Sequence, residues 1–363
     1  MNRFIYLLKR LLLGIPVLLF GLTVTFLVLY LGPIDPVLAI LGRDANPAAA
    51  RQLEIALGIR YSDGSMVPLW IQYKNFLVDM VTFNFGTSWG VARNQPVMDL
   101  IIGRLPATLW LGFWSVVIAL GFGVPIGLYA GLNSNTWGDY FASFGGIVWR
   151  AMPNFWLAVM LAGVLSAGGI LSGYRDFLIK TDVIGTPDEL QYLFSGIDVF
   201  PGIPILEYLW IPIPNLMPMA AAFKWILPAA LVLGSASMGN EVRIGRTAVL
   251  ESLNSEYIDT AKAKGVSTRR IITKHVGRNA VIPLLPVIMG EFYLLIGGSV
   301  LVESVFSING LGNLFLRAAF AADIPVLMSL TFIFIVIQIL FNTTQDILYT
   351  YIDPRITLAD NNE

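Results

Sequence analysis

The chain has 363 residues, of which 56% are hydrophobic and 13% are charged, and its formal net charge at pH 7 is -1. Soluble proteins carry about a quarter charged residues, so this composition indicates an integral membrane protein, and the charge balance gives no sign of a nucleic-acid partner. The sequence contains no cysteine, which excludes disulfides, thiolate metal sites and cysteine nucleophiles.

The first predicted element is a membrane-spanning helix at the N-terminus. The stretch MNRFIYLLKRLLLGIPVLLFGLTVTFLVLYLGP begins with Arg3, Lys9 and Arg10 and continues as an apolar run, about Leu11 to Leu31. A signal peptide has a shorter apolar core and a small-residue cleavage site, so we interpret this run as a retained span that begins inside the cell. Residues 1–31 are therefore assigned to an N-terminal tail and the first transmembrane helix.

Residues 32–104 are predicted to form an extracytoplasmic helical segment. In NPAAARQLEIALG, Asn46 is a typical N-cap, Pro47 occupies the first helical position and Gly58 is a typical stop. The stretch VPLWIQYKNFLVDMV predicts a second short amphipathic helix, from Val67 to Val81, and QPVMDLIIGRLP predicts a third.

Runs of roughly 20 mainly apolar residues are long enough to cross a bilayer. Five such runs are clear and one is short, which predicts an all-α integral membrane protein with six transmembrane helices. The predicted spans are about Leu11 to Leu31, Leu105 to Ala130, Ala151 to Ile170, Trp225 to Asn240, Val281 to Val302 and Ile324 to Thr344. We expect the short fourth helix to continue as an amphipathic stem through Glu241, Arg243 and Arg246.

The distribution of Lys and Arg predicts the orientation. Six spans put both ends of the chain on one side, and basic residues near the span ends, such as Arg10, Arg243 and Arg355, make that side the cytoplasm. We therefore expect a multi-pass protein of the cell membrane with cytoplasmic N- and C-termini, the C-terminal tail being residues 354–363.

A second sizeable outer loop follows the third span, at about residues 171–224. Its stretch FPGIPILEYLWIPIPNLMPM is apolar enough to suggest a span, but its prolines would break a spanning helix repeatedly. We predict a folded outer loop with exposed aromatic side chains.

The most charged stretch is EYIDTAKAKGVSTRRIITKHVGRNAVIP, which holds six Lys or Arg and the only histidine of the chain. It cannot lie in the membrane core, because each buried cation would cost about 2.5 to 3.5 kcal/mol. Asn254 or Ser255 is expected to cap a first helix that Gly265 ends, and Ser267 to cap a second. A basic anchor on lipid headgroups would account for the charge, but the small side chains of Ala261 and Ala263 favour docking into a protein groove.

These residues resemble the Glu-Ala-Ala loop of binding-protein-dependent ABC importer permeases, in the variant found in the dipeptide and oligopeptide branch. Five further stretches are similar to landmarks of that branch, in the family's order and spacing. They are LPATLWLGF at Leu105 to Phe113, MPNFWLA at Met152 to Ala158, LPAA at Leu227 to Ala230, VESVFSINGLG at Val302 to Gly312 and DILYTYIDPRI at Asp346 to Ile356. Together they cover most of the chain.

The resemblance implies a core permease domain at residues 105–353, with a cytoplasmic coupling loop at about residues 246–282 between spans 4 and 5. In the family this loop carries a coupling helix that docks on a cytoplasmic ATPase. The ATPase-coupling residues implied here are Tyr257, Asp259, Thr260, Ala261, Lys262, Ala263, Lys264 and Gly265.

A translocation path or gate is assigned to Glu291, Glu303, Gly310 and Gly312. Ionisable residues in spans usually face a bundle interior or a water-filled path. Glu303 matches the family's Val-Glu before the outer turn, where a structural role at the gate and a substrate contact fit equally well. Glu291 has no family counterpart, so it is expected either to line the path or to pair with a cation on a partner subunit.

The resemblance implies an ATP-driven importer of peptides, or of oligosaccharides or nickel, which the spans do not separate. The implied partners are a homologous second permease subunit in a heterodimer, two ABC ATPase subunits, an extracytoplasmic substrate-binding protein and the lipid bilayer. No cofactor is expected on this chain, because ATP and Mg are used by the ATPase subunits. The chain has no Gly-rich loop ending in Gly-Lys-Ser or Gly-Lys-Thr, so it is not expected to be an enzyme.

Three other interpretations carry less weight. GFGVPIG superficially resembles a phosphate loop, but it lies inside a span without a flanking strand or Lys, which favours close helix packing by its glycines. SASMG at Ser235 to Gly239 has Ser235 where a nucleophile elbow needs Gly, which argues against a serine hydrolase. A secondary transporter or channel would call for paired intramembrane acids and bases and usually an internal repeat, and neither is evident.

Overall fold

The computed structural model describes residues 3–32, 36–42, 46–166, 168–174, 176, 194–198, 210–214, 216–291 and 300–352. The helices are α1 (Arg3–Leu31), α2 (Pro36–Leu41), α3 (Pro47–Ala56), α4 (Leu69–Val81), α5 (Val97–Leu132), α6 (Trp137–Ala151), α7 (Asn154–Leu165), α8 (Leu216–Leu253), α9 (Glu256–Ala263), α10 (Thr268–Arg270), α11 (Gly277–Glu291), α12 (Val300–Val305), α13 (Leu311–Phe320) and α14 (Ile324–Ile352). A π-helical turn, Ile271–Val276, joins α10 to α11, and strands β1 (Phe194–Asp198) and β2 (Trp210–Pro214) form one antiparallel pair.

Four helices of the described residues are long and apolar enough to cross a membrane. These are Leu8–Leu31, Val97–Leu132, Ala222–Leu253 and Ile324–Ile347. They coincide with the predicted first, second, fourth and sixth spans. The predicted fifth span includes residues 292–299, which lie outside the described residues. The expected stem of the fourth span is confirmed, since α8 runs without interruption for 38 residues, about 57 Å.

The predicted third span, about Ala151 to Ile170, is not confirmed as a single spanning helix. Helices α6 and α7 meet at an angle of 95° across a short break, so that they form one bent span or a re-entrant loop. The break follows from Pro153, because a residue before proline is pushed away from helical dihedrals, and Met152 is extended at φ -82° and ψ 128°. Alone, the 12 residues of α7 extend only about 18 Å, well short of a bilayer core.

Helix α8 packs closely along α5 through a row of glycines. Gly123, Gly127 and Gly131 recur every four residues, so they lie on one face of α5. A Cβ atom at Gly127 would lie 2.8 Å from the carbonyl oxygen of Val242, and one at Gly131 would lie 2.6 Å from Cβ of Val249. The interpretation of GFGVPIG as a packing motif is therefore confirmed for its second and third glycines, which leave room for the backbone of α8.

The segment before α5 contains two of the three predicted helices, α3 and α4, and also the short helix α2, which was not predicted. The side chain of Asn46 accepts a hydrogen bond from the amide of Ala48, and Gly58 has a left-handed φ of +70°, which confirms the predicted cap and stop. The predicted third helix is not separate, because it continues into α5 through Pro106. Buried Phe26 of α1 and Phe76 of α4 stack against each other and join this segment to the first span.

The predicted outer loop at residues 171–224 contains the hairpin of β1 and β2, which the sequence analysis did not predict. Its register pairs Gly196 with Pro212 and Phe194 with Pro214. Prolines are acceptable here because a strand of a two-stranded sheet has a free edge, so a missing N–H group need not interrupt the ladder.

A buried aspartate anchors the segment between α4 and α5 to α14. Asp323, directly before α14, accepts hydrogen bonds from the hydroxyl of Ser88 at 2.5 Å and from the backbone amides of Trp89, Gly90 and Val91 at 3.1, 3.0 and 2.9 Å. Successive amides that converge on one carboxylate form an anion-binding nest. This cluster fixes residues that are more than 230 positions apart in the sequence.

We expect Asp323→Ala to lower the free energy of unfolding by about 3 kcal/mol, because one hydroxyl and three amides then lose their acceptor in a buried site. Ser88→Ala is the matched variant, and it should cost only about 1 kcal/mol because the three amides remain bound. Thermal unfolding of the purified protein in detergent measures both. Equal shifts for the two variants would contradict the anchor.

Candidate functional site

The candidate coupling helix is α9, which lies directly after the long stem α8. Ser255 occupies the N-cap position, as predicted, but its hydroxyl donates to the carbonyl of Ser252 at 2.5 Å and caps no helical amide. Glu256 and Asp259 lie in the first turn, where negative charge is favoured by the helix dipole. The turn between α8 and α9 is therefore closed by local hydrogen bonds.

The end of α9 is a Schellman motif. The amide of Gly265 donates to the carbonyl of Lys262 at 2.9 Å, and the amide of Val266 donates to the carbonyl of Ala261 at 3.1 Å. Gly265 has a φ of +71°, which a residue with a Cβ adopts only at a cost. The predicted left-handed stop is confirmed.

The two faces of α9 differ sharply. Ile258 is 0% exposed and Ala261 is 6% exposed, and both pack with Val249 of α8 and Val276 of the π-helical turn. The other candidate coupling residues are exposed, namely Tyr257, Asp259, Thr260, Lys262, Ala263, Lys264 and Gly265. The small side chain of Ala261 thus serves packing within this chain, whereas the sequence analysis had placed it on the face offered to a partner.

Tyr257 connects α9 to α8 and α11. Burial of its phenol tends to raise the pKa of Tyr257, but hydrogen bonds with Ser255, Asn279 and Ser252 outweigh burial and lower that pKa from its usual value. Asn279 lies on α11, so the hydroxyl of Tyr257 bridges the stem before the loop and the helix after it. Movement of α9 would therefore be transmitted to both helices.

The stretch after Gly265 is helical, as predicted, but it changes from an α-helix to a π-helix. Three residues of α10 are followed by a π-helical turn, whose Ile271 and Val276 are buried beneath α9. Single π-helical turns occur often at functional sites. Arg269, Arg270 and Lys274 project outward, so the positive charge of this stretch lies on its exposed surface.

A salt bridge braces the stem close to the loop. Arg246 of α8 donates from Nε to Oδ1 of Asp139 at 2.5 Å and from Nη2 to Oδ2 at 2.8 Å. Asp139, in the first turn of α6, is 1% exposed and also accepts from the amide of Asn135 and the hydroxyl of Ser143. A bidentate salt bridge of this kind fixes the relative orientation of the two side chains as well as their distance. The sequence analysis missed it, because the two charges lie 107 positions apart.

The candidate gate residues Glu303, Gly310 and Gly312 form one closed cluster. Glu303 is fully buried and accepts from the hydroxyl of Thr108 at 3.0 Å and from the amide of Asn313 at 2.9 Å. A Cβ at Gly310 would lie 2.6 Å from Oε2 of Glu303, and one at Gly312 would lie 2.9 Å from it. The carboxylate occupies the N-terminus of α13, where the glycines allow its close approach.

Glu291, the fourth candidate, lies apart from this cluster, at the end of α11. It is partly exposed, and its Oε2 has no hydrogen-bond partner among the described residues. Next to it lies Glu241 of α8, which the sequence analysis treated only as part of the stem. The structure therefore divides the four candidate path residues into a hydrogen-bonded cluster of three and Glu291, which lies beside Glu241.

These features define a mostly helical, multi-pass membrane protein with an exposed short helix between two long ones. Comparison with known proteins gives its family. The profile of the binding-protein-dependent transport system inner membrane component matches residues 123–358, and the profile of the N-terminal region of such components matches residues 1–112. The chain belongs to the binding-protein-dependent transport system inner membrane component family.

Relatives match along nearly their whole length. The dipeptide transport system permease protein DppB of Alkalihalophilus pseudofirmus is 35% identical, over 97% of this chain and 98% of the relative. The oligopeptide transport system permease protein AppB of Bacillus subtilis is 34% identical, over 97% and 98%. The dipeptide transport system permease protein DppB of Escherichia coli is 30% identical, over 97% and 98%. These matches confirm the resemblance found in the sequence.

We expect Gly310→Ala to destabilise the protein by about 1–3 kcal/mol, because the added methyl group would overlap the Thr108 hydroxyl and the Glu303 carboxylate. Gly103→Ala is the matched control, since a Cβ there meets no atom within 4 Å and alanine suits the interior of α5. The midpoints of thermal unfolding of the two variants should differ in that direction. A Gly310→Ala protein as stable as Gly103→Ala would show that the glycine is not needed for the cluster.

Proposed function

We propose that this chain is a permease subunit of an ATP-driven ABC importer that translocates peptides. The observation that carries the proposal is the match over 97% of the chain to dipeptide and oligopeptide permeases. Those names favour peptides over oligosaccharides or nickel as the cargo. The chain works with a homologous second permease subunit, two ABC ATPase subunits and an extracytoplasmic binding protein, and ATP and Mg are used by the ATPases.

The proposed orientation puts both termini and α9 in the cytoplasm of a cell with this protein in its cell membrane. The Lys and Arg residues near the span ends support it. The exposed cations of α9 and α10, among them Lys262 and Arg269, then lie in water, where their charge costs little. The hairpin and helices α2 to α4 lie on the outer side, where the binding protein delivers its cargo.

The proposed mechanism uses α9 as a lever. Its exposed face, from Tyr257 to Gly265, docks on an ATPase subunit, while its buried face is packed on α8 and the π-helical turn. The Asp139–Arg246 salt bridge joins the stem to α6, so a displacement of α9 moves α8 and α6 together. Closure of the ATPases on ATP thereby changes access to the path between the spans.

The gate residues are proposed to act in two ways. Glu303, with Gly310 and Gly312, holds the turn before α13 in one shape, since its carboxylate is buried and both oxygens accept hydrogen bonds. That geometry favours a structural role at the gate over a substrate contact. Glu291 is proposed to line the path, since its Oε2 has no hydrogen-bond partner among the described residues.

Disulfide crosslinking tests the docking face. The chain has no cysteine, so Ala263→Cys and Ala261→Cys can be compared directly, each combined with cysteines placed in the groove of the cognate ATPase. We expect a crosslink from exposed Ala263 and none from buried Ala261. Crosslinking from neither position, with transport intact after deletion of residues 256–265, would refute the coupling role.

A second test concerns the turn after α9. We expect Gly265→Val to weaken ATP-dependent transport strongly, because a β-branched residue at φ +71° costs about 1–2 kcal/mol. Gly265→Asn is the matched control, since asparagine tolerates the left-handed region. Both proteins should insert normally, and only the valine variant should show reduced transport and reduced stimulation of the ATPase. Normal transport by Gly265→Val would contradict the role of this turn.

A further inference from the structure

A buried carboxylate of α8 lacks the donors that the other buried carboxylates among the described residues have. Glu241 is 0% exposed, and neither of its oxygens accepts a hydrogen bond from a donor side chain of the described residues. Its Cβ lies where α8 crosses Gly123 of α5, so the side chain begins inside the packed interface. A buried ionised carboxylate without a donor is strongly disfavoured, so this group requires a positive charge or a proton.

The neighbours of Glu241 come from three helices. Glu291 of α11 lies within hydrogen-bonding reach of it and also contacts Ser237 of α8. The guanidinium of Arg150 of α6 interacts electrostatically with the carboxylate of Glu241. Nη1 of Arg150 donates a hydrogen bond to Oδ1 of Asn240 at 3.0 Å. The charged groups named here are thus two carboxylates and one guanidinium, which leaves one negative charge in excess.

The burial of Glu241 limits how the excess negative charge of the pair can be balanced. Glu241 has no exposed surface, so a side chain of another subunit could reach it only by displacing the helices packed around it. Two ionised carboxylates cannot hydrogen bond to each other, because both accept and neither donates. A single proton provides a hydrogen-bond donor between the two carboxyl groups. It also leaves the pair with one negative charge, which is equal and opposite to the charge of Arg150.

We propose that Glu241 and Glu291 form a proton-binding site in which the two carboxyl groups share one proton across the contact between α8 and α11. The site is internal to this chain, and its ligand is a single proton. It is separate from the satisfied cluster around Glu303. Arg150, which is exposed and hydrogen bonded to Asn240, contributes one positive charge near the singly protonated pair.

The site lies between α8 and α11, so it affects the movement of these two helices relative to each other. Helix α8 leads into α9, and α11 leads away from it, so the shared proton joins the two helices that carry the loop. Separation of these helices would split the pair and leave an isolated buried carboxylate. Provided that the chain is the importer subunit proposed above, the proton therefore stabilises the arrangement in which α8 and α11 remain in contact.

Infrared spectroscopy tests the site without any transport assay. A protonated carboxyl group has a C=O stretching band that ionised carboxylates lack, and its intensity per chain can be compared at neutral pH between the full-length protein and its variants. We expect Glu241→Gln to lose the equivalent of one carboxylic acid, and Glu291→Gln to lose the same amount. The double variant should lose no more than either single variant, because only one proton is present. Glu251→Gln, at an exposed position of α8, is the control and should lose none.

The outcomes separate the alternatives. A band unchanged in Glu241→Gln would overturn the proposal. A double variant that loses two equivalents would also overturn it, because each carboxyl group would then carry its own proton. If the variants lose no band, and Na⁺ raises the unfolding midpoint of the wild-type protein but not of Glu241→Gln, the site binds a metal cation instead. Since glutamine preserves the shape of glutamate and can donate to the remaining carboxylate, both single variants are expected to fold. Failure of the transport hypothesis would leave these spectra unaffected.

Discussion

The close contact between α5 and α8 governs the arrangement of the other functional elements. Glycines on α5 let the two backbones approach to a distance that any side chain would prevent, with a Cβ at Gly127 only 2.8 Å from a carbonyl oxygen of α8. Because α8 is one unbroken helix, this contact fixes the positions of Glu241 and Arg246 relative to α5. It also fixes the place where α9 begins. In a membrane, such packing is supported by van der Waals contact and by hydrogen bonds more than by the hydrophobic effect.

Buried carboxylates then fix the ends of the shorter elements. Asp323 binds three backbone amides and a hydroxyl, Glu303 binds the N-terminus of α13, and Asp139 binds Arg246. Each is compensated by donors, which is the condition for placing a charge away from water. Glu241 departs from this rule among the described residues, and a buried charged group without a donor requires an explanation. Within one chain, three buried carboxylates thus have donors, whereas Glu241 has none among the described side chains.

The loop between α8 and α11 shows how far local signals extend. The sequence predicted the short helix, its N-cap position and its left-handed end, because each depends on a few neighbouring residues and on the absence of a Cβ at Gly265. It did not predict that Ala261 faces inward, since the direction of that side chain depends on Val249 and Val276, which pack against α9. The π-helical turn was missed for the same reason, because its sequence is compatible with an ordinary helix.

By itself, the sequence determined the membrane class, four of the spans, the helical stem, the end of α9 and the family. Each of these follows from a run of apolar residues long enough to cross a bilayer, from a local backbone preference, or from ordered motifs. Only the tertiary structure decided the 95° bend between α6 and α7, the Asp139–Arg246 salt bridge, the Asp323 nest and the pairing of Glu241 with Glu291. Apart from the bend, these join residues that are 50 or more positions apart, so no periodicity or local propensity records them.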